Sequence, residues 1–275
     1  MEAGQVAAKE IRLAKGVEIG EVRCISGVSE TKRRENVFSA FARKLPRVSD
    51  NIGIVKDGRP CAIVGGGPSL RERLDEVRNF PGDVIVCGTA HAYLMREKVP
   101  FQYCVNLDAS GIMQKFLDPS SETATYLIAT TCHPATFDVL KDRKVWTWNA
   151  AGEATQEDFK GELAFAGGST AALRAWPIAH NLGYPEIHFY GVDSSFADIE
   201  DHHADPGYWP AVRDSFKVKI TGDPLEKEFW TNQQYAAQAY QFATMLKSFR
   251  MFSKVIVHGD TLTAAYARIM MQPSA

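Results

Sequence analysis

Cysteine is scarce in this chain: Cys24, Cys61, Cys87, Cys104 and Cys132 are the only five in 275 residues, and no two form a C-x-x-C pair. An odd set without paired spacing excludes a disulfide framework and a zinc knuckle. Several lie in apolar runs, where buried reduced thiols are expected. Neither sign of charge is in excess, with 31 Lys+Arg against 33 Asp+Glu, a net charge of -2 and a pI near 6.4. That balance argues against a nucleic-acid partner, which would draw on a clear basic excess. No apolar run approaches the ~20 residues that span a bilayer, and MEAGQVAAKEIRLAKG lacks the apolar core of a secretory signal. A soluble, cytoplasmic protein with no membrane partner is expected. Repeats and low-complexity tracts are absent. So are G-x-G-x-x-G, G-x-x-x-x-G-K-[ST], H-E-x-x-H and G-x-S-x-G, the fingerprints of dinucleotide folds, P-loops, zinc proteases and serine hydrolases.

What is present is enough apolar material for a full core, 45% of residues against 23% charged. From residue 61 onward, short β-branched runs alternate with helix-length segments: CAIV (61–64), DVIVCG (83–88), YCVNLD (103–108), TYLIAT (125–130), KVWTWN (144–149), EIHFYGVD (186–193) and KVIVHG (254–259). These predict an α/β, Rossmann-like fold, with a mostly parallel sheet of about seven strands and helices on both faces. Leu70, Leu74, Val77 and Phe80 recur at helical spacing after Pro68. A second helix runs from Gly168-Ser169-Thr170 to Gly183, where Pro177 is expected to kink or divide it, and a third spans 231–252.

Two segments stand apart. Residues 1–58 form an N-terminal helical appendage to a domain over 59–275, with a helix start at Ser29-Glu30-Thr31-Lys32 followed by Val37, Phe38, Phe41 and Leu45. Its Lys32, Arg33, Arg34, Arg43, Lys44 and Arg47 are expected on a solvated helix face. An insertion at about 194–229 exceeds ordinary loop lengths and is expected to be a lid or functional insertion. It carries His202-His203, of which His203 is the candidate general base, and Tyr208-Trp209, able to stack on a base or sugar.

The chemistry concentrates at strand ends. Gly65-Gly66-Gly67-Pro68-Ser69 follows the first strand and opens a helix, which fits either a tight turn or a phosphate cradle at the positive end of the helix. Asp108 and Asp193 follow later strands and belong at the carboxyl edge of the sheet, able to hold Mg²⁺ or to orient catalytic groups, or simply to cap helices. Gly168-Ser169-Thr170 is a second glycine-plus-hydroxyl helix start, an anion site or an ordinary N-cap. Thr89, after the second strand run, joins the cofactor-binding set. Cys132-His133 are adjacent and are expected to be strand-end residues, not a dyad.

"IVGGGPSL", "FQYCVNLDAS", "GGSTAALRAWPIAHNLGYPEIHFYGVDSSF" and "KVIVHGDTL" together resemble the MptE-like 6-hydroxymethylpterin diphosphokinase family over roughly residues 58–262. That family also includes motility accessory factors proposed to glycosylate flagellin, and the motif order is similar to that of bacterial CMP-sugar sialyltransferases. The resemblance implies a nucleotide crevice with Gly65, Gly67, Pro68 and Ser69 on its first loop, Gly168-Ser169-Thr170 on its second, and Asp108 and Asp193 on the acidic positions. Two departures stand out: Gly66 occupies the place of an asparagine in the sialyltransferase pattern, and Pro100-Phe101-Gln102-Tyr103 lacks the acid of P-D-[FYVI]. The implied activity is transfer from an NTP with Mg²⁺ to an unknown acceptor, with Asp108, Asp193 and His203 as catalytic candidates. The alternatives are metal-independent glycosyl transfer from a CMP-activated nonulosonic sugar, and a non-catalytic nucleotide-binding or assembly module. A homo-oligomer is compatible with all three.

Overall fold

A computed structural model describes residues 27–117, 119, 121–198, 201–205 and 214–271. Cys24, Tyr208 and Trp209 lie outside the described residues. The strands are β1 (Cys61–Val64), β2 (Asp83–Cys87), β3 (Tyr103–Asn106), β4 (Thr125–Ala129), β5 (Lys144–Ala150), β6 (Ala164–Phe165), β7 (Glu186–Tyr190), β8 (Phe216–Lys219), β9 (Glu228–Thr231) and β10 (Lys254–Val257). The helices are α1 (Glu30–Ala42), α2 (Leu74–Arg78), α3 (Ala90–Arg96), α4 (Pro134–Val139), α5 (Ala171–Leu182), α6 (Gln233–Phe249) and α7 (Leu262–Met270).

Every apolar run named above contains a strand. Together with the two-residue β6 they form one eight-stranded sheet ordered β10-β7-β1-β2-β3-β4-β5-β6. All neighbours in it pair parallel. Strands β1, β2 and β4 are buried along their whole length, as a sheet covered on both faces requires. From β1 the chain steps outward strand by strand to β6, and α5 then returns it to the other edge of β1. There β7 pairs in register, with Cys61 beside Ile187 and Val64 beside Tyr190. The carboxyl ends of β1 and β7 therefore flank the point where strand order reverses, which is where open α/β sheets leave a crevice.

Two helical expectations need correction. The stripe after Pro68 is not one helix: residues Pro68–Arg73 form a 3₁₀ turn, and only then does α2 begin. Leu70 and Val77 are nonetheless buried, with Leu74 and Phe80 packed on the core. Pro177 does not divide α5, which runs as one helix from its Thr170 cap to the left-handed Gly183 (φ 110°). The ring forgoes one backbone hydrogen bond, but the flanking Trp176 and Ile178 are fully buried, and Trp176 packs on Phe189, Phe242 and Phe249 at 5.2–5.5 Å. Tertiary packing of this kind outweighs a local propensity.

The N-terminal basic residues keep solvent contact, and four of them also pair with the α/β body. Capped by Ser29, α1 lies across the loops after β3 and β4, where buried Asn36 donates through Nδ2 to the carbonyls of Ala109 and Thr131. Arg33, Arg34, Arg43 and Arg47 reach Glu153, Asp158, Asp138 and Glu162 of the α/β body. Lys32 and Lys44 stay exposed. In the insertion, β8 and β9 form an antiparallel hairpin whose Val218 and Phe229, with Ile220, make a second small core against Ala239, Leu262 and Ala265. No helix among the described residues is long and apolar enough to cross a membrane.

Candidate functional site at the strand-order switch

The loop after β1 is welded to the end of β7. Gly65 N–H donates to Tyr190 O at 2.8 Å and Gly67 N–H to Gly191 O at 2.7 Å. A Cβ on Gly65 would stand 2.6 Å from Gly191 O, and one on Gly67 would stand 2.5 Å from Asp193 Cγ. These two glycines are thus required by the close approach of two chain segments. Pro68 opens the 3₁₀ turn, and Ser69 then engages Asp193 twice, its N–H donating to Oδ2 at 2.8 Å and its hydroxyl to Oδ1 at 2.6 Å. Asp193 is only 4% exposed. Burial pushes its carboxyl up to about 6, against the lowering effect of the two Ser69 bonds. Its own carbonyl accepts from Thr263 N–H in the first turn of α7 at 3.1 Å.

Residues 201–205 of the insertion form a strap over this loop. Ala204 N–H donates to Gly66 O at 2.7 Å. A Cβ on Gly66 would stand 2.3 Å from His203 Nε2, so the imidazole fills the space a side chain at position 66 would need. Backbone Asp205 N–H donates to His203 Nδ1 at 3.1 Å, which makes Nδ1 the acceptor and places the proton of the neutral ring on Nε2. Nε2 lies 2.9 Å from Thr89 Oγ1, at the carboxyl end of β2. Burial lowers the imidazole to about 4, so it is neutral at pH 7. Ion pairs fasten the strap at both ends, Arg71 to Asp201 and Arg96 to Asp205. In this arrangement both ring nitrogens are engaged, Nδ1 by Asp205 N–H and Nε2–H by Thr89 Oγ1.

The remaining expected residues are distributed along the same edge. Half-buried Asp108 follows β3 and accepts Ser110 N–H at 2.7 Å, a local turn of the kind Asp forms readily. In the second loop, Thr170 caps α5 by accepting Leu173 N–H, and the Ser169 N–H and hydroxyl both donate to Gln241 Oε1 of α6 at 2.9 Å. Each Asp193 oxygen accepts one hydrogen bond from Ser69, which ties the carboxylate to the loop. No group of three His, Cys, Asp or Glu among the described residues could hold an ion. Cys132 is fully buried with its thiol pushed up, while His133 Nδ1 accepts Ala135 N–H at the start of α4, so the two make no dyad. Arg71, Arg96 and Gln241 carried no sequence signal, since their partners lie 130, 109 and 72 residues away.

Fold and site define a doubly wound parallel α/β protein with its candidate crevice at the switch point between β1 and β7. The family described as 6-hydroxymethylpterin diphosphokinase MptE-like matches residues 36–198, more than half of the chain, and the chain belongs to that family of transferases. Among solved structures it is similar to the MAf glycosyltransferase from Magnetospirillum magneticum AMB-1, at a TM-score of 0.57 and 14% identity. The match covers 89% of this chain and 42% of that one, so the chain spans less than half the length of that protein, with which it shares the fold. No curated protein sequence matches it.

Proposed function

We propose that the chain is a nucleotide-dependent transferase that moves a phosphoryl-type group from an NTP to an acceptor, with the nucleotide held at the carboxyl ends of β1 and β2. The observation that carries this reading is the clustering at the switch point of Gly66 and Gly67, of Ser69 held by Asp193, and of Thr89 bonded to the strap histidine. The family's named activity, a diphosphokinase, points to the same class of reaction. In this reading the Thr89 hydroxyl, oriented by His203 Nε2–H, is the donor to a phosphate oxygen. Asp193 is a positioning residue that holds Ser69 and the loop in place. Asp108, with one oxygen engaged by Ser110, is the carboxylate left to orient the acceptor. Rate enhancement then comes from positioning and from fixed donors aimed at developing charge.

A second reading, glycosyl transfer from a CMP-activated sugar without metal, draws on the use of Asp193 to hold Ser69 and on the glycosyltransferase that shares the fold. A thermal-shift panel of ATP, GTP, CTP, CMP and a CMP-sugar, each with and without Mg²⁺, separates them, because a true ligand stabilises by mass action. Triphosphate binding that needs Mg²⁺ supports the first reading. Metal-independent CMP binding replaces it with the second. Silence across the panel leaves the non-catalytic module.

A further inference from the structure

Arg174 is 5% exposed, yet no carboxylate among the described residues lies within 4 Å of it. Its Nη1 donates to the carbonyl of Phe165 at 2.8 Å, and its Nε, also buried, has no partner. Burial holds the guanidinium below its ordinary value, opposed only by the more distant charge of Glu153, which is itself paired with Arg33 at 3.5 Å. Position matters as much as burial. Arg174 lies in the first turns of α5, where a long side chain leans back toward the helix N-terminus. Its Cδ stands 3.0 Å from where a Cβ on Gly167 would be, so the side chain lies against the turn that leads into the helix. Thr170 satisfies the Leu173 N–H, while the first-turn N–H groups of Ala171 and Ala172 have no partner among the described residues. A buried cation beside the positive end of a helix dipole is doubly unfavourable by itself, and an anion between them relieves both costs.

We propose that the Gly167–Thr170 turn, the first turn of α5 and Arg174 form an oxyanion site for a carboxylate or phosphate group of the acceptor, with Arg174 Nε as a principal donor. That the oxyanion belongs to an acceptor rests on the transferase reading; the anion site itself does not. A guanidinium suits both chemistries, because its planar fork matches the oxygens of either group.

The test uses the full chain, with inorganic phosphate and acetate as separate probes and chloride at equal ionic strength as the reference. The wild type is expected to gain thermal stability in one of the two probes, and which one tells phosphate from carboxylate. Arg174→Met is expected to lose that response, weakening affinity by at least about tenfold, and to be no less stable than wild type in chloride, since it removes an unpaired buried charge. Glu153→Gln removes the acid that shares the field at Arg174 and is expected to tighten binding; it decides the matter alone if Arg174→Met does not fold. A wild type indifferent to both probes, an Arg174→Met that responds like wild type, or a Glu153→Gln that binds no better overturns the proposal. Nucleotide binding with no anion effect at Arg174 removes this inference and leaves the transferase reading intact. An Arg174-dependent anion effect without nucleotide binding does the reverse.

Discussion

Two places along the sheet's carboxyl edge are finished in different ways. At the switch point the loop after β1 has its N–H groups at 65, 67 and 69 engaged by β7 and Asp193, and the strap imidazole above it is neutral. At the start of α5 a buried guanidinium lies beside the Gly167 turn with no acid in contact among the described residues. The contrast shows that glycines and hydroxyls at a helix start do not by themselves mark an anion site. The first loop uses them to bring two strands together, and what distinguishes the second is charge left without a counter-charge.

The comparison breaks most readily at Gly67. Gly67→Ala puts a methyl group 2.5 Å from Asp193 Cγ and 2.8 Å from Gly191 O, both held by the fold. It is expected to cost about 3 kcal/mol or more, at the upper end of overpacking effects, read as a lowered denaturation midpoint. Gly66→Ala meets first the His203 imidazole, a side chain and not backbone, and is expected to cost less, about 1–2 kcal/mol. Here a double-mutant cycle sharpens the picture: His203→Ala should recover much of the loss from Gly66→Ala, and strict additivity of the two would show that the strap does not sit on the loop.

A smaller effect lies in the pH dependence. His203 moves from an ordinary 6.5 down to about 4 in the folded protein, so its contribution is present above pH 6.5 and is lost as pH falls toward 4. Asp193 moves the other way, from 3.8 up to about 6, so its contribution is full below pH 4 and is lost as pH rises through 6. His203→Gln should therefore make the acid loss of stability shallower over pH 6.5 to 4, while Asp193→Asn makes it steeper. Thermal melts across that window read both slopes. Equal slopes in the two variants would contradict the placement of these groups.

Much of the fold was legible because its strands are apolar on both faces and broken by turn residues, so each run from CAIV to KVIVHG announced itself. Strand β6 has two residues and makes no pattern, and the 3₁₀ turn at Pro68–Arg73 shares the apolar spacing of a helix over so short a stretch. The site was legible as a set of strand ends and much less so in its bonding. Ser69 and Asp193 were each visible, but not that one holds the other across 124 residues. Gly66, conspicuous as the residue replacing an asparagine, acquired its reason only when His203 proved to occupy the space beside it. Arg174 sits inside a helix like any other arginine, and only its burial, with Nε unpartnered and no carboxylate within 4 Å among the described residues, sets it apart.

The central claim, that the switch-point crevice binds a nucleotide, is tested most directly by calorimetric titration of the full chain with ATP and with CMP, with and without Mg²⁺, alongside Thr89→Val. The account predicts saturable binding of a nucleotide by the wild type and, because Thr89 is assigned as a donor to its phosphates, a loss of about tenfold in affinity for the variant, together with a stability loss of about 1–3 kcal/mol from the His203 Nε2–H left without Thr89 Oγ1. Nucleotide binding that Thr89→Val leaves untouched, or no binding under any of these conditions, would contradict it.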